Sequence, residues 1–544
     1  MRALARMHLP ARQRGVALLA LLALVSVVVI FAYVTGLNRS ASSMAQERTL
    51  RTATALAQAK EALIAYAVTY NDTHDSSPNF YVPGYLPCPD LGPATNVEGT
   101  AAGSCGSSLV SAMGRLPWKT LRLDALRDGS DECLWYAVSG TYKNNPNGVS
   151  GSTTTSNMMN WDTNGQFDVL DANGSTYLAG GSTALADTRA VAVIFAPGAP
   201  ISGQNRAPVT GTSTCGGNFN ATPPAAAYLE TANGINNSTL VTPSSPANVA
   251  DTSSFIAGTT SDTFNDRLVY ITRAEIWSAV KKRSDFNKHL RALTRRAAEC
   301  TAMYGQNNQV YQGWPLFSWV LNASDERLPW AEDVSLSTTS VPRYAVNAQY
   351  NDVSGRLAGR LAFRVDTARN DTDNAISNSI SDYGTNGAYL FTNGSYCAYA
   401  PEEKIWYDNW KDQLFYAVAN RYNPSASSST WCGTCLRING GGSYAAVVIF
   451  AGEKLSGQSR NTASNKGSIA NYLEGRNSSN YPNSGGNGNY QVAAASGTFN
   501  DIVYAIDANL AVSCSDTTGV MRSLVTAPAA PPAPTNLANY AACP

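Results

Sequence analysis

A set of short motifs occurs twice in this chain, in the same order, and that repetition restricts the fold more than any other feature. Leu134-Trp135-Tyr136-Ala137-Val138 recurs as Leu414-Phe415-Tyr416-Ala417-Val418. Val193-Ile194-Phe195-Ala196 with Ser202-Gly203-Gln204 recurs as Val448-Ile449-Phe450-Ala451 with Ser456-Gly457-Gln458. Tyr228-Leu229-Glu230 recurs as Tyr472-Leu473-Glu474, and Thr263-Phe264-Asn265-Asp266 with Val269-Tyr270 as Thr498-Phe499-Asn500-Asp501 with Val503-Tyr504. Leu86-Pro87 and Leu328-Pro329 extend the match upstream. Collinear matches over roughly 200 residues have the scale of a domain, so the chain reads as a tandem duplication of one unit.

Each copy shows short β-rich apolar runs (Leu134–Val138, Ala190–Ala196 and Leu268–Thr272 in the first) between Gly/Asn/Ser-rich loops. That pattern predicts strands of an antiparallel sheet. Ahead of them, Ser43 to Tyr70 has no Gly or Pro and sets Leu56, Leu63, Tyr66 and Tyr70 on one helical face. A second helical stretch, Asp285 to Tyr304, precedes the second copy. The expected class is therefore α+β: a long N-terminal helix, half apolar and half amphipathic, then two tandem units, each a helix on an antiparallel sheet. The second helix has no apolar half, so its copy must ride on the first.

The N-terminus carries Arg2, Arg6, Arg12 and Arg14 with no acidic residue, and after Gly15 the chain is uncharged from Val16 to Asn38. Those 23 residues would span roughly 34 Å as a helix, enough for a hydrocarbon core of about 30 Å. Arginines upstream would stay cytoplasmic and direct the rest outward. Three readings fit an export segment of this kind: a signal peptide cut near Ser43-Met44-Ala45, a plain signal anchor, or a leader cut ahead of the apolar run.

The segment Arg12-Gln13-Arg14-Gly15-Val16-Ala17-Leu18-Leu19 resembles the prepilin signal of type IV pilins and type II secretion pseudopilins. The resemblance implies cleavage after Gly15 by a prepilin peptidase, N-methylation of Val16, and use of the apolar helix as a filament core. The family usually has Glu at the fifth mature position, where this chain has Ala20. In the family that carboxylate pairs with the terminal amine of a neighbouring subunit, and a carboxylate in an apolar setting is costly unless paired. In lacking it, and in its start, the chain resembles K-type minor pseudopilins and PilX-like minor pilins. The motifs Leu86-Pro87-Cys88-Pro89-Asp90 and Gly114-Arg115-Leu116-Pro117-Trp118 resemble pseudopilin-like heads.

Ten cysteines, most in loop-like sequence, favour disulfides in an oxidising compartment. Cys133 aligns with Gln413 and Cys215 near Asn465, so both are missing from copy two, as expected of a bonded pair gained or lost together. Cys88 and Cys105 bracket a short loop, and Cys514 and Cys543 could tie down the Pro/Ala-rich tail; Cys300 and Cys397 would remain for each other. Cys432-Gly433-Thr434-Cys435 lies in loop sequence rather than at a helix start after a strand, which favours a small loop disulfide over a redox site. Connectivity is not fixed by spacing alone.

Pseudopilins of the resembled family often bind calcium. Asp366, Asp371 and Asp373 form one weak candidate site and Asp162, Asp168 and Asp171 another; neither has EF-hand spacing. No other cofactor is expected. With 39 basic and 39 acidic residues and no basic run beyond the leader, nucleic acid is not an expected partner. The sequence has no Gly-x-Ser-x-Gly elbow, phosphate-binding loop or His-Glu-x-x-His, so no enzyme is expected. Glu402 and Glu403, read as strand neighbours, would point apart, and the Trp406–Trp410 stretch reads as a core cluster before a sugar platform.

The organisation expected is a leader at 1–15, a transmembrane or filament-core helix at 16–38, a first pilin-like domain at 39–282, a second at 283–513, and a tail at 514–544. The function expected is a non-enzymatic minor pilin-like subunit in the bacterial inner membrane, heads periplasmic, then in a filament at the cell surface. Its partners would be other pilin subunits. The alternative is an anchored or secreted adhesin outside any filament.

Overall fold

The computed structural model describes the chain from Gln13 on, apart from 76–80, 107–109, 144–157, 182–186, 218–222, 242–251, 311–324, 336–349, 366–387, 390–400, 427–434, 525–536 and some shorter stretches. Helix α1 is a 56-residue element, Gln13–Val68; its backbone is described throughout and its side chains at Ser26 and from Ser42 on. Gly15, Val16 and Ala20 fall in this helix, with side chains outside the described residues. Among the described residues no helix is long and apolar enough to cross a membrane, and the side chains of Val16–Asn38 other than Ser26 lie outside them. Leu56, Ala59, Leu63 and Ala67, three or four residues apart, form the buried stripe of α1.

That stripe lies on a seven-stranded sheet made of β1 (Ala112–Arg115), β2 (Trp135–Val138), β3 (Phe167–Leu170), β4 (Tyr177–Ala179), β5 (Ala190–Ala196), β6 (Ser253–Ile256) and β7 (Arg267–Thr272). The order is β1-β2-β5-β3-β4, with β7 on the other side of β5 and β6 parallel to β3. Helices α2 (Arg273–Val280) and α3 (Phe286–Asn307) then lead into the second copy. Its eight strands are β8 (Ala358–Arg360), β9 (Leu414–Val418), β10 (Leu436–Ile438), β11 (Gly441–Phe450), β12 (Asn489–Tyr490), β13 (Ile502–Asp507), β14 (Val512–Ser515) and β15 (Met521–Ser523). Here the order is β8-β9-β11-β13-β14-β15, with β10 between β11 and β12, and α3 crosses β11 and β13. The class is thus α+β, with antiparallel sheets that each include one parallel pair.

The strand series β1-β2-β5-β7 repeats as β8-β9-β11-β13, antiparallel throughout. The motif matches in the central strands are nonetheless out by one residue. Tyr136 faces Ile194, whereas Tyr416 faces Val448; Ile194 faces Val269, whereas Val448 faces Tyr504. Val448 therefore stands where Ile194 does, and Tyr504 where Val269 does. The spacer from Ala196 to Ser202 is one residue longer than that from Ala451 to Ser456, and the spacer from Asp266 to Val269 is one longer than that from Asp501 to Val503, so both strands have slipped together and exchanged faces. Such a slip moves every side chain across the sheet. It is tolerated because β5 is buried apolar sequence on both faces, as is the paired part of β11.

Two further sequence expectations are corrected. The boundary at 513 falls inside β14, and the second sheet runs on to Ser523, because the polar turn Asp516–Gly519 is a hairpin rather than the start of a tail. Glu402 and Glu403 lie in helix α4 (Pro401–Trp410), not on a strand.

Gly114 and Gly359 occupy the same place in β1 and β8, where a neighbouring chain segment bridges the strand through Asp90–Arg115 and Glu332–Arg360. A Cβ at either would run into the carbonyl of Asp90 or Glu332. Gly114→Ala and Gly359→Ala should each lower stability by about 1–3 kcal/mol, the usual cost of overpacking, as read by denaturant unfolding.

Candidate functional site

The densest polar chemistry in the described residues is a buried cage that occurs once per copy. It joins the Ser-Gly-Gln loop after β5 or β11, the Tyr-Leu-Glu segment, and the Thr-Phe-Asn-Asp turn before β7 or β13. In copy one, Glu230 accepts from Gln204 Nε2 at 2.7 Å and from the Asn265 amide at 2.9 Å. In copy two, Glu474 accepts from Gln458 Nε2 at 3.0 Å and from the Asn500 amide at 3.1 Å. Asp266 Oδ2 accepts from the Glu230 amide at 2.9 Å and Asn237 Nδ2 at 3.0 Å; Asp501 Oδ2 does the same with the Glu474 amide at 3.1 Å and Asn477 Nδ2 at 2.9 Å. Each cage is closed by an arginine that donates to carbonyl groups, Arg206 to Gly198 and Ala227, Arg460 to Gly452 and Asn471.

Burial, and then the charge of the neighbouring glutamate, push the Asp266 and Asp501 carboxyls well above the ordinary carboxylate range. Two like charges in one dry pocket cannot both be ionised cheaply. Glu230, Asp266, Glu474 and Asp501 are all buried and accept from backbone amides. The arrangement therefore ties three loops to the start of an edge-side strand instead of presenting a reactive group. Beside each cage an arginine of β1 or β8 lies on aromatic rings: Arg115 donates to the Tyr228 hydroxyl at 2.9 Å, and Arg360 sits 4.7 Å from the Tyr472 ring centre. Sequence matching found Glu230, Asp266 and their partners as repeated letters but not as one site. Arg206/Arg460 and Asn237/Asn477 were missed, the second pair because its spacing from the glutamate differs between copies.

The two arginines differ in their carboxylate. Arg206 takes Glu132 of its own copy at 3.3 Å. Arg460 takes Asp162, from the first copy, at 3.2 Å, and Gln413 donates to the same Asp162 oxygen at 2.6 Å. Burial raises the Asp162 carboxyl, but the charges of Arg460, Arg273 and Lys466 outweigh it and hold the group below its usual value. The same loop gives its Met159 amide to Asn409 Oδ1 at 2.7 Å and Asn160 Nδ2 to the Asn409 carbonyl at 2.8 Å. Trp161 meets Trp410 edge-on at 4.5 Å, and Trp277, Phe286 and Phe450 complete the aromatic cluster. Trp406 stacks on His289 at 4.6 Å, so the Trp406–Trp410 stretch is core. Glu402 bonds His289 at 3.2 Å and Glu403 faces Arg296 at 3.2 Å.

Disulfides join Cys88 to Cys105, Cys133 to Cys215 and Cys514 to Cys543. Cys300 and Cys435 are each disulfide-bonded, to partners outside the described residues, where Cys397 and Cys432 fall. Asp366, Asp371 and Asp373 also fall outside the described residues. The other calcium candidate dissolves into separate networks: Asp162 holds Arg460, Asp168 pairs with Arg189 at 3.1 Å, and Asp171 accepts the amides of its own turn. Among the described residues no group of three His, Cys, Asp or Glu side chains could hold a metal ion.

Compared with protein-family models, curated proteins and solved structures, the chain matches none.

Removing the Asp162 carboxylate strands a buried guanidinium, so Asp162→Ala should cost about 3–5 kcal/mol in denaturant unfolding. The cage carboxyls set a pH dependence of opposite origin. The folded-state pKa of Asp266 and Asp501 is raised, so their contribution is complete below the unfolded value near 3.9 and is lost as pH rises through the raised native value. Asp501→Asn, which keeps an acceptor for the Glu474 amide, should flatten the decline in melting temperature above about pH 4.

Proposed function

We propose that this chain is a non-enzymatic minor pilin- or pseudopilin-like subunit at or near the tip of a type IV pilus or type II secretion pseudopilus. The observation that carries the reading is the continuity of α1, which runs from Gln13, inside the leader-like motif, to Val68 in the core of the first copy. A helix of that length, at 1.5 Å per residue, couples an apolar N-terminal segment rigidly to a folded head. On this reading each sheet with its helix is a pilin-like head, and the heads stand in the periplasm while Val16–Asn38 waits in the inner membrane. Prepilin peptidase frees Val16, and the apolar segment enters the bundle of other subunits.

Two features favour the tip over the shaft. Ala20 supplies no carboxylate for the amine of an adjoining subunit. The head carries two sheets, of seven and eight strands, joined by one core, and so bulky a unit would crowd a repeating lattice.

The test is the mature N-terminus, read by mass spectrometry from cells with and without prepilin peptidase. The expected peptide begins at N-methylated Val16 and disappears in the peptidase mutant. A start at Met1 or near Gln46 in both strains would overturn the reading.

A further inference from the structure

Ten Asn-x-Ser/Thr triplets, the acceptor sequence for N-linked glycans, occur in this chain, as chance allows in a sequence so rich in Asn, Ser and Thr. The fold separates them. Five have side chains among the described residues: Asn71, Asn173, Asn236, Asn237 and Asn477. Asn237 and Asn477 are the cage asparagines, 0% and 1% exposed. Asn71 is buried too, and the hydroxyl of its Thr73 donates to the Thr69 and Tyr70 carbonyls. Asn236 accepts from Ser238 Oγ at 2.7 Å, so the hydroxyl of that triplet is held within it, on a buried serine. Of the five, only Asn173-Gly174-Ser175 has both its asparagine and its hydroxyl residue exposed.

That triplet lies at the tip of the hairpin between β3 and β4. The Asp171 amide donates to the Thr176 carbonyl at 2.8 Å and closes the hairpin, while Gly174, at φ +68°, turns the chain back. Asp171 Oδ1 accepts the Asn173, Ser175 and Thr176 amides at 3.1, 3.4 and 3.3 Å. These bonds are long and none of residues 171–176 is buried, so the tip can open onto a second protein at little cost. Asn173 Nδ2 donates only to Asp171 Oδ2, at 3.4 Å, and the Ser175 hydroxyl has no partner among the described residues. Asp171 also stands two residues ahead of the asparagine, and it is the one acidic residue so placed in the ten triplets. A carboxylate there offers an arginine of a transferase a charged grip.

A second observation lies just downstream. Strand β4 ends the sheet order, pairs with β3 alone among the described residues, and exposes Tyr177 and Leu178 at 40% and 45%. Consecutive exposed apolar side chains on a sheet edge promote association, and a bulky polar group beside them would cover them. We propose that Asn173 is the acceptor of an N-linked glycan, donated by an oligosaccharide on a polyisoprenyl diphosphate carrier. The bond from Asn173 Nδ2 to the anomeric carbon forms, and the bond from that carbon to the diphosphate oxygen breaks. The amide proton passes to a base of the transferase, and the carrier leaves as the diphosphate anion. A glycan on Asn237 or Asn477 would keep its cage from closing, so the transfer this fold tolerates is one onto the folded chain. The inference shares with the filament reading only the export of the residues after Asn38, and the mature N-terminus tests that reading separately.

The test uses the full chain purified from the cells that make it, reduced, cut with trypsin and read by mass spectrometry with electron-transfer fragmentation. Cleavage after Lys143 and Arg189 gives peptide 144–189, whose single triplet is that of Asn173. Cleavage after Arg476 and Arg522 gives peptide 477–522, whose single triplet is that of Asn477. The expected result is a series of sugar-residue masses on Asn173, with 477–522 unmodified. Ser175→Ala should abolish the added mass and Ser175→Thr, which keeps the hydroxyl, should retain it, both with the melting temperature unchanged. Peptide 144–189 without added mass overturns the inference, as does a glycan on Asn477 or on another residue of 144–189 in place of Asn173.

Discussion

The buried ion pair between Asp162 and Arg460 joins the first copy to the core of the second. A lone guanidinium under that burial would be prohibitively costly, and the carboxylate that pairs with Arg460 lies outside copy two. Copy one supplies it, on the same loop that carries Trp161 into the cluster of Trp277, Phe286, Trp410 and Phe450. Both sheets thus share one hydrophobic core, and the second copy is complete only when the first is folded against it. The two units are similar, and the pair between Asp162 and Arg460 ties the second to the first.

Polar and apolar parts of the repeat have diverged by different rules. The Glu-Asp-Asn-Gln-Arg cage is kept nearly bond for bond, because each buried donor and acceptor needs a partner at one distance and angle. The strands beside it have slipped by one residue. Dispersion and burial have no such direction, and a strand buried on both faces loses little when its side chains exchange sides. The cage therefore sets where β7 and β13 begin, and the apolar strands adjust beyond it.

The functional reading rests on the first helix, which packs beside the last strand of the first sheet. Lys60 of α1 pairs with Glu275 of α2 at 2.5 Å beside a groove along β7. Very little of this candidate site was legible in sequence. Glu230 and Asp266 could be read as repeated residues, whereas Asn237 and Asn477 sit at different spacings from their glutamates and meet equivalent carboxylates only through the fold.

The sequence by itself determined the duplication, the α+β class and the amphipathic stripe of α1, and pointed to the Cys133–Cys215 pair, since all of these leave periodic or collinear marks along the chain. Helical spacing at Leu56 and Leu63 is local information, and so is a cysteine pair missing together from one copy. Only the tertiary structure decided the one-residue slip of β11 and β13, the inclusion of residues up to Ser523 in the second sheet, and the junction through Asp162 and Trp410. These depend on which strand faces which and on which buried charge finds a partner, and residues 298 positions apart in the chain have no local signal by which to announce that they meet.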